Sequence, residues 1–189
     1  YHWSEDGTKL LLYTNSRRVW RTNSRGDYWV LNLETDELFQ LGGSAPEASL
    51  MFAKFSPDGD KVAYVRSHDI YVEQLSDGDI NKLTTGGSQT LINGTFDWAY
   101  EEEFGIQDGF RWSPDGERIA YWQIDASGVK EFLLINNTDS LYPSITKIPY
   151  PKVGETLSSA RIGSVSSLGG ETVWAKIPGD PRNNYIARM

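Results

Sequence analysis

Residues 55–64 read FSPDGDKVAY, residues 112–121 repeat this stretch as WSPDGERIAY, and a looser copy, WSEDGTKL, begins at Trp3. The copies start at residues 3, 55 and 112, so the two intervals are 52 and 57 residues. Intervals of this length are typical of one four-stranded antiparallel blade rather than of a helical repeat. In each copy an Asp-Gly turn joins two strands, because Asp caps the turn and Gly accepts the left-handed conformation.

The second repeat unit carries the pattern of a nearly complete blade. Lys61 begins an apolar run that continues to residue 65, apolar and polar residues are mixed over residues 69–75, and a third stretch follows at 80–84. Turn residues separate the stretches, as expected of consecutive antiparallel strands. The first unit repeats the same hairpin at residues 28–33 and 37–41.

A further hairpin is predicted near Arg161. Residues 161–166 and 172–177 flank a Gly169-Gly170 turn and have strand-like composition. We assign this hairpin to a further, partial blade, which brings the count to about three and a half.

These patterns predict an all-β fold, a partial β-propeller of three to four four-stranded antiparallel blades. The only helix expected is a short one near Tyr100–Phe104, inserted before the third unit. Propellers close with about 4 to 8 blades, so residues 1–189 are expected to form an incomplete N-terminal propeller domain. An open stack would expose two sheet edges, and we therefore expect the chain to be part of a longer protein.

The composition and the absence of known motifs exclude several classes of function. The formal net charge is −8, which argues against a nucleic acid partner, and the absence of Cys excludes disulfides and thiolate metal sites. No phosphate-binding loop, dinucleotide fingerprint or Gly-x-Ser-x-Gly elbow is present, so no cofactor is expected. His2 and His68 are interpreted as surface histidines. The segment alone is expected to be catalytically inactive.

The acidic run is the candidate functional feature. Residues 97–103 read DWAYEEE, so three adjacent carboxylates follow a Trp and a Tyr. Neighbouring carboxylates repel one another, and such a cluster is either a solvated turn or a site for an ammonium or metal ion. Chemistry alone leaves these alternatives open.

Three motifs in this order resemble the N-terminal β-propeller of the dipeptidyl peptidase IV family of serine exopeptidases. They are the acidic run, FRWSPDG at 110–116 and IPYPKVG at 148–154. The resemblance implies an eight-bladed propeller that caps an α/β-hydrolase domain, which is absent from this chain and would hold the Ser-Asp-His triad. It also implies release of X-Pro or X-Ala dipeptides from peptide N-termini.

The resemblance also implies individual site residues. Glu102 and Glu103 match the pair that binds the substrate's α-ammonium, whose N–H donors make charge-assisted hydrogen bonds to carboxylates. Arg21 matches an arginine placed over the substrate carbonyl and beside the glutamates, although Arg17, Arg18 and Arg25 lie close by in sequence. Glu101 is then a flanking or helix-capping residue, and the aromatic residues Trp98, Tyr100, Trp112 and Trp122 are expected to pack between blades.

The implied partners are a peptide with a free N-terminus, the remaining propeller, the hydrolase domain and a second copy in a homodimer. The implied location is periplasmic or extracellular, with any membrane anchor outside this segment. Two other functions stay open. The repeat is compatible with a non-catalytic propeller scaffold for protein interactions. A propeller glycosidase is less favoured, because adjacent glutamates in one turn do not flank a bond from opposite sides.

Overall fold

The computed structural model describes all 189 residues, and it contains fifteen strands and one helix. The first eight strands are β1 His2–Trp3, β2 Lys9–Arg17, β3 Arg25–Asn32, β4 Leu38–Gln40, β5 Leu50–Phe55, β6 Lys61–Arg66, β7 Asp69–Gln74 and β8 Ile80–Lys82. The remaining elements are β9 Leu91–Asn93, α1 Trp98–Phe104, β10 Phe110–Trp112, β11 Arg118–Asp125, β12 Glu131–Asn136, β13 Ser144–Pro149, β14 Ser159–Ser166 and β15 Val173–Trp174. The prediction of an all-β fold with one short helix is confirmed. The single helix, at seven residues, is far too short to cross a lipid bilayer.

The repeated Ser-x-Asp-Gly turn is held by the same hydrogen bonds in all three copies. A serine hydroxyl accepts the backbone N–H of the residue five positions on, at 2.9 to 3.0 Å, and donates to the aspartate two positions on. The following glycine adopts a positive φ of 68 to 72°. The motif therefore fixes the first hairpin of each blade.

The first two blades share one sheet. Strands β1–β4 pair in chain order, and β5–β8 do the same. Two residue pairs, Arg25 with Met51 and Gly26 with Leu50, connect β3 to β5 at the start of both strands. Apolar side chains from both blades then pack together, with Leu11, Val30, Val62 and Tyr64 all fully buried.

The third blade consists of β10, β11, β14 and β15, in that spatial order. Strand β14 pairs with β11 over eight residues, from Arg118 opposite Ser166 to Asp125 opposite Ser159. The assignment of the Arg161 hairpin to a further blade is therefore wrong, because its first strand completes the third blade. Strand β9 pairs with the far end of β11 and lies on the same side as β10.

An unpredicted hairpin, β12–β13, is inserted between β11 and β14. Its two strands pair only with each other, over six residues from Glu131 opposite Pro149 to Asn136 opposite Ser144. Most of its side chains are exposed, including Leu133 and Ile135. The insertion separates two strands of one blade in sequence, which explains why sequence reasoning placed them in different blades.

Candidate functional site

The acidic helix lies on a loop that interrupts the first strand of the third blade. Residues 94–109 leave the sheet between β9 and β10 and return to it. At the neck of the loop, the Gly109 N–H donates to the Gly94 carbonyl at 3.0 Å, and both glycines bond to the Trp122 backbone. A Cβ on Gly109 would lie 2.8 Å from the Gly94 carbonyl carbon, so the two backbones approach this closely only without side chains.

Local capping explains where the helix begins and ends. The Asp97 carboxylate accepts the Tyr100 N–H at 3.1 Å as an N-cap, and it also accepts the Ser158 hydroxyl. Gly105 ends the helix in the left-handed conformation, with φ of 65°. Tyr100 is buried in the blade, as predicted for a packing residue, and Trp122 lies buried beneath it.

The structure brings Arg21 and Glu102 together. The Arg21 Nε lies 2.7 Å and 2.5 Å from the two carboxylate oxygens of Glu102. The Glu102 side chain is only 12% exposed, whereas the Arg21 side chain is 77% exposed. None of the neighbouring arginines, Arg17, Arg18 and Arg25, forms an ion pair with the acidic run. The two Nη groups of Arg21 bond to no protein atom and remain free to donate.

A second contact joins the β2–β3 loop, which carries Arg21, to the segment that follows α1. The Thr22 hydroxyl donates to Gln107 Oε1 at 3.0 Å, and Gln107 Nε2 donates to Glu101 Oε1 at 3.1 Å. Residues 18–24 connect β2 and β3 in the first blade. The Arg21–Glu102 and Thr22–Gln107 contacts therefore both join the first blade to the third. Gln107 carried no sequence signal beyond its proximity to the acidic run.

Glu101 is more than a flanking residue. Burial, followed by the charge of the adjacent Glu102, raises the pKa of Glu101 to about 7. The side chain borders a cavity of about 250 Å³, which Trp20, Gln107 and Trp98 also line. A carboxyl group with this pKa changes charge near neutral pH.

Glu103 stands apart from the other two glutamates. Its side chain is exposed and makes no hydrogen bond or ion pair. It borders a different cavity, of about 1130 Å³, together with Trp98, Tyr150 and Tyr185. The structure thus pairs Arg21 with Glu102. It leaves Glu103, the next residue after Glu102, unpaired. No three potential ligand side chains converge on a metal site anywhere in the chain.

Nothing in the sequence indicated a second charged cluster, in which Lys54 and Arg111 bind Asp108 at the base of the loop. Lys54 on β5 lies 2.5 Å from Asp108, which precedes β10, and Arg111 binds the other oxygen of that carboxylate at 3.0 Å. The Lys54 ammonium also lies 3.3 Å from the centre of the Phe110 ring. Burial lowers the pKa of Lys54 to about 8. The second blade therefore supports the loop that carries the helix.

The histidines have different environments. His2 is exposed, as predicted. His68 is partly buried in a turn with φ of 64°, and burial lowers the pKa of its imidazole, so the surface interpretation is wrong for this residue. Neither histidine forms a hydrogen bond through its side chain, and His68 lines the same cavity as Glu101.

Antiparallel blades, with an acidic helix that pairs with an arginine of the first blade, define a β-propeller segment. The dipeptidyl peptidase IV N-terminal region matches residues 4–189, and the chain belongs to this family. Dipeptidyl aminopeptidase B from Saccharomyces cerevisiae is 32% identical over 188 residues, which are 97% of this chain and 22% of that protein. The crystal structure of Porphyromonas gingivalis dipeptidyl peptidase 4 superposes with a TM-score of 0.88 at 29% identity, over 96% of this chain and 26% of that one. The chain thus spans about a quarter or less of these relatives.

Proposed function

We propose that this segment anchors the substrate N-terminus in a dipeptidyl peptidase IV-like serine exopeptidase that releases X-Pro or X-Ala dipeptides. The observation that carries the proposal is the ion pair between Arg21 and Glu102, together with the unpaired Glu103 at the next position of the helix. Two carboxylates and one guanidinium leave one net negative charge. A free α-ammonium group supplies the matching positive charge.

The hydrogen-bonding capacity of the three groups fits the end of a peptide. An ammonium has three N–H donors, and the oxygens of Glu102 and Glu103 can accept them as charge-assisted bonds. Arg21 uses only its Nε for Glu102, so its Nη groups can donate to a peptide carbonyl. An acylated N-terminus brings no charge, and the carboxylates would lose water without a compensating partner.

In this proposal the propeller selects and positions, and a hydrolase domain outside the segment cleaves. Cleavage would proceed by acyl transfer to a serine with a histidine base and an oxyanion hole. The distance from the clamp to that serine would set the length of the released product at two residues. The segment alone would be inactive.

The test uses the complete parent protein and a Gly-Pro chromogenic substrate with a free or an acetylated N-terminus. We expect cleavage of the free substrate only, and a rise in KM of about 10- to 100-fold for Glu102→Gln or Glu103→Gln, since each removes a charge-assisted hydrogen bond. Glu117→Gln is the matched control, because Glu117 is exposed in the turn of the third blade. Unchanged kinetics in both clamp variants would refute the anchoring role, and cleavage of neither substrate would favour the scaffold.

We further propose that the complete protein forms a homodimer to which the β12–β13 hairpin contributes. The hairpin exposes Leu133, Leu134, Ile135 and Tyr142, and both edges of its two-stranded ribbon are unpaired. Exposed apolar ribbons of this kind are typical of association surfaces. Ile135→Lys should shift the complete protein toward monomer in analytical ultracentrifugation, whereas Lys147→Ala should not. Equal dimer fractions in the two variants would exclude the hairpin.

A periplasmic or extracellular location belongs to the same proposal. It rests on the family, since the composition without Cys is compatible with either side of a membrane. Fractionation of the parent cells tests it, and recovery of the protein only from the cytoplasm would contradict it.

A further inference from the structure

The backbone of Ile186 is bound at once to the acidic helix and to the third blade. Its N–H donates to the Tyr100 hydroxyl on α1 at 2.9 Å, and its carbonyl accepts the Trp122 indole N–H from β11 at 2.8 Å. Two side chains thus satisfy the polar groups that a neighbouring strand would otherwise pair. These two bonds fix the position of the segment after the third blade relative to α1.

Aromatic packing surrounds this connection. Tyr100 is 1% exposed, and the Tyr185 ring packs on Tyr100 and on Phe104, with centroid distances of 5.4 and 4.8 Å. Burial raises the pKa of Tyr100 to about 12, so its hydroxyl stays neutral at working pH. Phe104 directly follows Glu103, so the same aromatic cluster reaches the end of the acidic run.

The position of Tyr100 on the helix connects the inner contacts to the acidic side chains. Residues two apart on a helix point about 200° apart, so Tyr100 and Glu102 face opposite sides. Tyr100 binds inward to Ile186, while Glu102 binds Arg21 on the other side. A helix of seven residues has little stability of its own, and contacts like these must therefore fix its position.

We propose that Tyr100 is a positioning residue, whose hydroxyl bond to Ile186 fixes where α1 holds Glu102. The proposal rests on the proposed anchoring function. If the Tyr100 ring served only as core, removal of the hydroxyl would alter stability and leave substrate binding unchanged. If it positions the helix, removal of the hydroxyl weakens binding of the free N-terminus through Glu102.

The experiment compares Tyr100→Phe, Glu102→Gln and the double variant in the complete protein, with the free-amine Gly-Pro substrate. Tyr121→Phe is the matched control, because it removes a hydroxyl hydrogen bond of 2.8 Å to Thr172 in the same blade without touching the helix. We expect Tyr100→Phe to raise KM about tenfold, which corresponds to about 1.4 kcal/mol, with kcat within about twofold. Tyr121→Phe should leave KM within about twofold of wild type.

The double variant separates positioning from general stability. If Tyr100 acts through Glu102, adding Tyr100→Phe to Glu102→Gln should not raise KM further, because coupled residues are non-additive. Additive effects, an equal rise in KM for Tyr121→Phe, or a Tyr100→Phe protein too unstable to assay would each overturn the proposal. Normal KM in Tyr100→Phe together with a raised KM in Glu102→Gln would refute the positioning role of Tyr100 and leave the anchoring function standing. Normal KM in Glu102→Gln would refute the anchoring function on which it rests.

Discussion

Glu101→Gln is expected to stabilise the protein at high pH and to have little effect at low pH. Burial and the Glu102 charge raise the pKa of Glu101 from its ordinary 4.5 to about 7 in the folded chain. Between these values the folded chain keeps a proton that the unfolded chain has released. The stability that this proton contributes is present below pH 4.5 and is lost as the pH rises through 7.

The magnitude follows from the size of the rise. A rise of the pKa from 4.5 to about 7 corresponds to at most about 3.5 kcal/mol, at about 1.4 kcal/mol for each pKa unit. Glu101 is only partly buried, and water screens its charge, so we expect about 1 to 2 kcal/mol. Glutamine has nearly the shape of the protonated glutamate and carries no charge at any pH. The folded variant therefore never bears the free-energy cost of a buried carboxylate at this position.

Thermal unfolding of the complete protein at pH 5 and pH 8.5 measures the effect. One kcal/mol shifts Tm by about 2 to 4 °C in a chain of 150 to 250 residues and by less in a longer one. Because the relatives are about four times longer than this segment, Glu101→Gln should raise Tm of the complete protein by about 1 °C at pH 8.5 and leave it nearly unchanged at pH 5. Glu117→Gln, in an exposed turn, should show no such difference. A Tm gain in Glu101→Gln that is the same at both pH values would refute the reasoning.

Three further substitutions examine how the helix is held. Gly109→Ala places a Cβ 2.8 Å from the Gly94 carbonyl carbon, so we expect a loss of about 1 to 3 kcal/mol in denaturant unfolding, whereas Gly78→Ala, with open space around it, should lose less than about 1.5. Lys54→Met removes one cation from Asp108, and the resulting loss of about 1 kcal/mol in denaturant unfolding should change little in 1 M salt, because both side chains of the pair are partly buried and are therefore weakly screened. Asp97→Ala removes the N-cap and should cost about 1 to 2 kcal/mol; faster hydrogen exchange confined to residues 98–105 would locate the effect, and unchanged exchange there would contradict it.

The repeated turn made most of the blade architecture predictable. Strand β6, at Lys61–Arg66, and the helix, at Trp98–Phe104, lie within two residues of the positions expected from sequence. Both follow from local chemistry, because an apolar run after a Ser-x-Asp-Gly turn forms the strand and the caps Asp97 and Gly105 delimit the helix. Local signals of this kind do not state which strands become neighbours.

The pairing of β11 with β14 illustrates that limit. The two strands are separated in sequence by the β12–β13 hairpin, whose apolar residues do not alternate and which was not predicted. Sequence reasoning paired Arg161 with its nearest hairpin partner and assigned it to a new blade. Only the long-range register, with Tyr121 opposite Gly163, reveals that it belongs to the third.

The sequence named the residues of the candidate site, whose substrate-binding role stays a prediction, and it gave no indication of their electrostatics. Arg21 and Glu102 were identified through family resemblance, and the structure places them in contact. The perturbed pKa of Glu101 depends on burial, which depends in turn on a loop from another blade. The Lys54–Asp108 ion pair is likewise a contact between residues distant in sequence, and an isolated lysine in a strand gives no signal of it.

The charge balance of the loop supports the proposal that the acidic run binds a cation and is more than a solvated turn. Asp108, at the base of the loop, has two cations, Lys54 and Arg111, and is fully compensated. The three glutamates share only Arg21, and the chain meets this deficit partly by protonating Glu101 near neutral pH. A solvated turn would expose all three carboxylates to water and would need neither the arginine nor the proton. The residual negative charge on Glu102 and Glu103 is therefore available to a single positive group, and a peptide's free N-terminus carries one.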